Sequence, residues 1–168
     1  RKGLLDHKKS QGLLSYQDLL ELLAQAVEDE AIANSIRQNY SVALIDEFQD
    51  TDPLQFRIFD KLYREAGLPL YLVGDPKQAI YSFRGADIFT YLRAREHANG
   101  RFTLNTIRRA LPALVKEVNN VFMNRSNPFL LSRLSFVDVS AVEPESRLSI
   151  NEPPFHCWLL PANDGKKL

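Results

Sequence analysis

VALIDEFQDTDPLQF (Val42–Phe56) and LYLVGDPKQAIYSFRGA (Leu70–Ala86) are two apolar runs that each end in acid. Val42, Ala43, Leu44 and Ile45 lead straight into Asp46 and Glu47. Leu70, Tyr71, Leu72 and Val73 lead into Gly74 and Asp75. Short continuous apolar runs of this kind fit strands buried on both faces, as in a parallel sheet. Open α/β sheets gather ligands at the carboxyl ends of their strands. Both acidic clusters are therefore expected at one rim, although a helix separates them in sequence.

Working outward, strands and helices alternate, which indicates the α/β class. Ser15, with Asp18 three residues on, predicts a capped amphipathic helix over Tyr16–Glu28. A second helix is expected over Glu30–Gln38. Asp52-Pro53 opens a third, closed by Gly67 and Pro69. Lys77–Phe83 reads as a short helical turn. Asp87 caps a helix over Ile88–Glu96, with Phe89, Tyr91 and Leu92 partly buried. Asn99-Gly100 marks a boundary between residues 1–100 and 101–168. Beyond it, Phe102–Asn105 reads as a strand, Thr106–Leu111 as a loop and Pro112–Phe122 as a helix. Phe136–Val139, Arg147–Ile150 and Phe155–Leu160 are further expected strands.

At 168 residues the chain can bury one good core. Its formal net charge of zero excludes a uniformly basic nucleic-acid binder, so any such contact must be a local patch. The single cysteine, Cys157, excludes an internal disulfide framework and gives no zinc spacing. Its apolar setting, FHCWLL, predicts a buried core thiol. No signal peptide and no apolar run of membrane-spanning length is visible, which makes a reducing cytoplasm the default expectation. The chain begins at Arg1 and ends at Leu168 with no closing element, as expected of a piece of a longer protein.

Several residues carry possible chemistry. Of the adjacent carboxylates Asp46 and Glu47, one can hold magnesium through oxygen while the other takes a proton from water, as nucleotide hydrolysis requires. A solvated acidic turn after a strand is the competing reading. Gln78, close to Asp75, can donate to a phosphate oxygen without burying a charge; otherwise it is a surface amide beside a capping Asp. Tyr81, Phe83 and Arg84 combine base-stacking faces with a guanidinium, a single-strand binding arrangement, or are two core aromatics and a surface arginine. Arg108 and Arg109 follow the third expected strand. There an arginine can reach a transferring phosphate, or simply line a solvated basic loop.

Taken together, these motifs resemble superfamily 1 helicases of the UvrD/Rep type. LIDEFQDTDP (Leu44–Pro53) resembles helicase motif II, and GDPKQAIYSFRGADIFTYL (Gly74–Leu92) resembles motif III. LSYQDLL (Leu14–Leu20) is similar to the short stretch ahead of motif II, and TLNTIRRALPALV (Thr103–Val115) to motif IV. The wording PKQAIYSFRGADIF is closest to the branch formed by the beta subunits of exodeoxyribonuclease V. The resemblance implies an incomplete RecA-like (P-loop NTPase) parallel sheet with flanking helices in residues 1–100, carrying motifs II and III of helicase domain 1A. Residues 101–168 would then start a second RecA-like domain, 2A. It also implies ATP and Mg2+ as cofactors. Asp46 would bind magnesium, Glu47 activate water, Gln78 sense the γ-phosphate and Arg109 contact it from the second motor domain. Tyr81, Phe83 and Arg84 would touch single-stranded DNA. The branch unwinds double-stranded DNA at breaks with RecC-like and RecD-like partner subunits, and carries a separate nuclease domain further on.

Two features depart from the family pattern. Arg108 stands where motif IV usually places an adenine-stacking aromatic, although a guanidinium plane can also stack on a base. Ile107 replaces the usual polar residue. No G-x-x-x-x-G-K-[ST] occurs in the sequence, so the cradle for the β- and γ-phosphates is missing from it. The isolated chain is accordingly expected neither to hydrolyse ATP nor to unwind DNA. Two alternatives stand beside the motor: a non-catalytic single-strand-binding or partner-docking module, and a helicase of the AddA or UvrD type.

Overall fold

A computed structural model describes residues 7–8, 10–80, 87–129, 131–142, 153 and 155–158. The chain divides into two compact units, Arg1–Gly100 and Arg101–Leu168.

The first unit opens with α1 (Tyr16–Ala26). Its start is fixed by a reciprocal capping box: Asp18 N–H donates to Ser15 Oγ at 3.3 Å, and Ser15 N–H donates to Asp18 Oδ2 at 2.7 Å. Lys8 Nζ closes the cluster on the same carboxylate oxygen at 2.7 Å. The Lys8 side chain, then the Ser15 hydroxyl and N–H, hold the Asp18 carboxyl well below the usual carboxylate range. A carboxyl depressed in the folded state adds stability above its unfolded pKa of about 4 and loses it as pH falls further. Helix content at α1 is therefore expected to decline below about pH 4. Asp18→Asn should flatten that part of the acid titration followed by circular dichroism.

Helix α2 (Glu30–Asn39) is capped by Asp29, which accepts Ala31 N–H. Small residues let α1 and α2 approach the sheet: Ala24, Ala33 and Ala43 are buried with Val27, Ile58, Leu62 and Tyr63 in one cluster. The strands β1 (Ala43–Ile45) and β2 (Leu70–Leu72) pair in parallel, with Ala43 opposite Leu70 and Ile45 opposite Leu72. Between them runs α3 (Pro53–Phe59), with Pro53 in its first turn and Asp52 accepting from Leu54 and Gln55 N–H. It continues into a π-helical turn, Asp60–Arg64. The wide turn is answered by α2: Arg37 Nε donates to the Leu62 carbonyl at 2.8 Å. Such turns are rare, and the freed carbonyl needs a donor. The unit ends with α4 (Ile88–His97), whose Asp87 cap accepts Phe89 and Thr90 N–H.

Strands buried on both faces were the expectation here, and one face departs from it. Leu44 and its register partner Tyr71 are 71% and 59% exposed. The helices and their apolar cluster cover the alternating positions, led by Ala43, while only two strands make this sheet among the described residues. Phe89, expected to be partly buried, is also exposed. The expected turn at Lys77–Phe83 is a 3-10 turn over Pro76–Gln78; residues 81–86 lie outside the described residues.

In the second unit, β3 (Thr106–Ile107) pairs in parallel with β4 (Ser140–Ala141), and α5 (Pro112–Met123) connects them. The expected strand Phe102–Asn105 does not form: Phe102 and Leu104 are almost fully exposed, and the ladder begins directly after it, at Thr106. Phe136–Val139 is also not a strand. Asn119 on α5 takes Val139's backbone instead, donating to its carbonyl at 2.8 Å and accepting its N–H at 3.4 Å. Phe136 stacks on Phe122 of the same helix at 5.2 Å. The run 155–158 has no regular structure, and Cys157 is exposed rather than a core thiol. An apolar run without a partner strand cannot satisfy its backbone in a ladder. Arg147–Ile150 lies outside the described residues. No helix among the described residues is long and apolar enough to cross a membrane.

Candidate functional site

The carboxyl ends of β1 and β2 form one rim. Past the ladder, Val73 N–H donates to the Ile45 carbonyl at 2.8 Å and Phe48 N–H to the Val73 carbonyl at 2.9 Å. The two exits are thereby stitched together. From β1 emerge Asp46 and Glu47, both exposed, then a 3-10 turn over Phe48–Asp50. From β2 emerge Gly74 and Asp75, then the turn over Pro76–Gln78.

Glu47 lies at φ 50°, ψ 40°, the only non-glycine residue with positive φ among the described residues. This left-handed state costs a side-chain-bearing residue about 1 kcal/mol. Its N–H is held by Asp46 Oδ1 at 2.9 Å. Strain of this kind persists where the surroundings over-determine it, and it clusters at working sites.

The surroundings here are unusually specific. Gln49 is 2% exposed. Its Oε1 accepts Asp75 N–H at 3.0 Å and its Nε2 donates to Glu47 Oε2 at 2.6 Å. Gly74 makes room for it: a Cβ there would stand 2.5 Å from Gln49 Oε1 and 3.0 Å from Phe48 N. Glu47, Gln49, Asp50, Gln78 and Ile80 line a cleft of about 530 Å³. The structure thus brings Glu47 and Gln78 to one concavity. Asp46, Glu47 and Asp50 also line a neighbouring, more apolar cleft of about 480 Å³ against Leu20, Leu23 and Phe59.

Gln78 is exposed, and its Nε2 donates to Asp75 Oδ2 at 3.3 Å. Burial pushes the Asp75 carboxyl up. Hydrogen bonds from the Lys77 side chain and N–H, the Lys77 charge and Gln78 outweigh that and hold it below its ordinary value. Tyr91 on α4 donates its hydroxyl to the Gly74 carbonyl at 3.1 Å. Burial raises its pKa against the pull of Arg95, and the Asp75 charge adds to the rise.

Among the described residues, no group of three or more His, Cys, Asp or Glu is gathered to hold a metal alone. Magnesium held through one carboxylate, with waters and phosphates completing the shell, needs no such group. Asp50 Oδ1, buried without a hydrogen-bond partner among the described residues, adds an acceptor beside both clefts. The donor set fits such an ion.

Arg108 and Arg109 follow β3 in the second unit, both exposed. Tyr81, Phe83 and Arg84 lie outside the described residues. Sequence reasoning missed Gln49 and Tyr91. For Gln49 the available signal was an uncharged amide amid the acids of IDEFQD.

The profile of the UvrD/REP helicase N-terminal domain matches residues 2–99. RecBCD enzyme subunit RecB of Escherichia coli strain K12 is 38% identical over 95% of this chain. The Haemophilus influenzae protein of the same name is 41% identical over 99% of it. That of Mycolicibacterium smegmatis is 45% identical over 68%. The chain spans about 14% of the length of the first two relatives. An acidic rim on a parallel strand pair, a profile covering more than half the chain and this level of identity place the chain in the UvrD/Rep helicase family.

Proposed function

We propose that this chain is part of the motor of a RecB-like helicase, which couples ATP hydrolysis to movement along single-stranded DNA and to unwinding at double-strand breaks. The observation that carries the reading is the shared cleft: Glu47 and Gln78 meet at the carboxyl ends of two parallel strands. Residues 1–100 correspond in this reading to the later part of a RecA-like domain 1A, and residues 101–168 to the start of domain 2A. The names of the relatives, subunits of RecBCD enzymes, support RecC-like and RecD-like partners.

In this mechanism Asp46 would hold magnesium, and the ion would supply neutralising charge at the phosphates. Glu47 accepts the proton of the attacking water. Gln78 donates to the terminal phosphate, and its bond to Asp75 lets that contact reach the exit of β2. Arg109 supplies positive charge to the transferring phosphoryl group, and Arg108 stacks on the base. Tyr81, Phe83 and Arg84 stack and pair with the DNA strand. They sit between Gln78 and α4 in sequence, so nucleotide state and strand grip share one short segment.

ATP turnover by the parent polypeptide, measured with and without single-stranded DNA, tests the reading. Marked stimulation by the strand is expected. Strand binding without any nucleotide turnover would make the chain a passive binding module.

A further inference from the structure

We propose that Gln49 is a positioning residue that holds the Glu47 carboxylate in its working orientation and ties it to the exit of β2. The inference rests on the reading of Glu47 as the group that activates water. Three observations carry it. Gln49 is almost fully buried, yet both arms of its amide are used. The orientation of the amide follows from its partners: a backbone N–H requires the oxygen and a carboxylate requires the NH2. The bond to Glu47 is charge-assisted, and such bonds are short and about twice as strong as neutral ones. Finally, the exit of β2 carries at position 74 the one residue type without the Cβ that would collide with the Gln49 oxygen.

The consequence is mechanical. Glu47 projects from a left-handed residue at the end of a three-residue strand, with its side chain exposed. Left alone, such a side chain samples several rotamers. Gln49 selects one by anchoring a carboxylate oxygen to Asp75 N–H through a single rigid amide. Asp75 also receives Gln78, so phosphate sensor and base are joined through two side chains. A misplacement of about 1 Å at a reacting group can cost 10²-fold in rate.

The test uses the parent polypeptide, with DNA-stimulated ATP turnover measured over a range of ATP concentrations. Gln49→Glu keeps the acceptor for Asp75 N–H, removes the donor to Glu47 and sets a second carboxylate against it. The variant is expected to lower kcat about tenfold or more with the KM for ATP unchanged. An unchanged kcat overturns the proposal. Gln49→Met removes both arms at similar length. It should lower kcat about tenfold or more while leaving KM alone, and a change confined to KM overturns the proposal even if Gln49→Glu does not fold. Combined with Glu47→Gln, neither change should cause further loss, because both act through one group. If Glu47→Gln alone is inactive and the Gln49 variants match wild type, positioning by Gln49 fails and the motor reading stands. If Glu47→Gln is fully active, the motor reading fails first.

Discussion

In the parent polypeptide, Glu47→Gln is expected to lower single-stranded-DNA-stimulated ATP turnover by about 10²–10⁴-fold, the usual worth of a positioned general base. Strand binding should be retained. The substitution is informative because it changes so little else. Glutamine has the same length and branching as glutamate, and the left-handed backbone at position 47 costs both about equally. The Asp46 carboxylate can still accept the backbone N–H of residue 47. The Gln49 NH2 can still donate, now to an amide oxygen in place of a carboxylate oxygen. Only the capacity to take a proton is removed. Single-turnover measurements separate this from a binding defect: ATP should bind and persist rather than fail to bind. Equal rates in the two proteins would mean that Glu47 is a solvated turn residue. The single-strand-binding reading would then account better for the chain.

Much of this site was legible in the sequence, and the reason is local. An apolar run followed by acid and a tight exit specifies a strand end almost by itself, and two such runs around one helix imply a parallel pair. Ser15 with Asp18, Asp52 with Pro53, and Asp87 announce helix starts because each satisfies orphan N–H groups with its own side chain. What failed to show depends on partners distant in the chain. Nothing in FTLN tells that the ladder starts only after it, at Thr106–Ile107, with partners more than thirty positions away. Nothing around Val139 tells that Asn119 will claim it. The role of Gln49 was hidden for the same reason. Its partners are Glu47, two residues before it, and Asp75, twenty-six after it. Only the fold shows both at once.

The largest stability effect is expected at Phe48, where substitution by alanine should cost about 3–5 kcal/mol, the range for emptying a well-packed aromatic site. Phe48 is 2% exposed and is among the largest fully buried side chains of the described residues. Its ring meets Phe56 of α3 edge-on at 5.4 Å and Tyr91 of α4 at 5.7 Å. Aromatic pairs of this geometry add to the burial itself. The residue therefore joins the loop after β1 to both helices. Its N–H, bonded to the Val73 carbonyl, would survive the change, so the strand exits should remain paired locally while their support is lost. Urea unfolding of the chain followed by circular dichroism measures this. The midpoint should fall sharply with the slope unchanged, the pattern of a pure stability loss. Phe48→Leu should recover much of the difference by refilling the volume. It would not restore the ring contacts with Tyr91, whose hydroxyl is bonded to the Gly74 carbonyl. In the parent polypeptide, Phe48→Leu should thus remain folded yet turn over ATP more slowly than wild type. The loop carrying Glu47 depends on that ring for its anchorage to α4, as well as on Gln49 for its orientation.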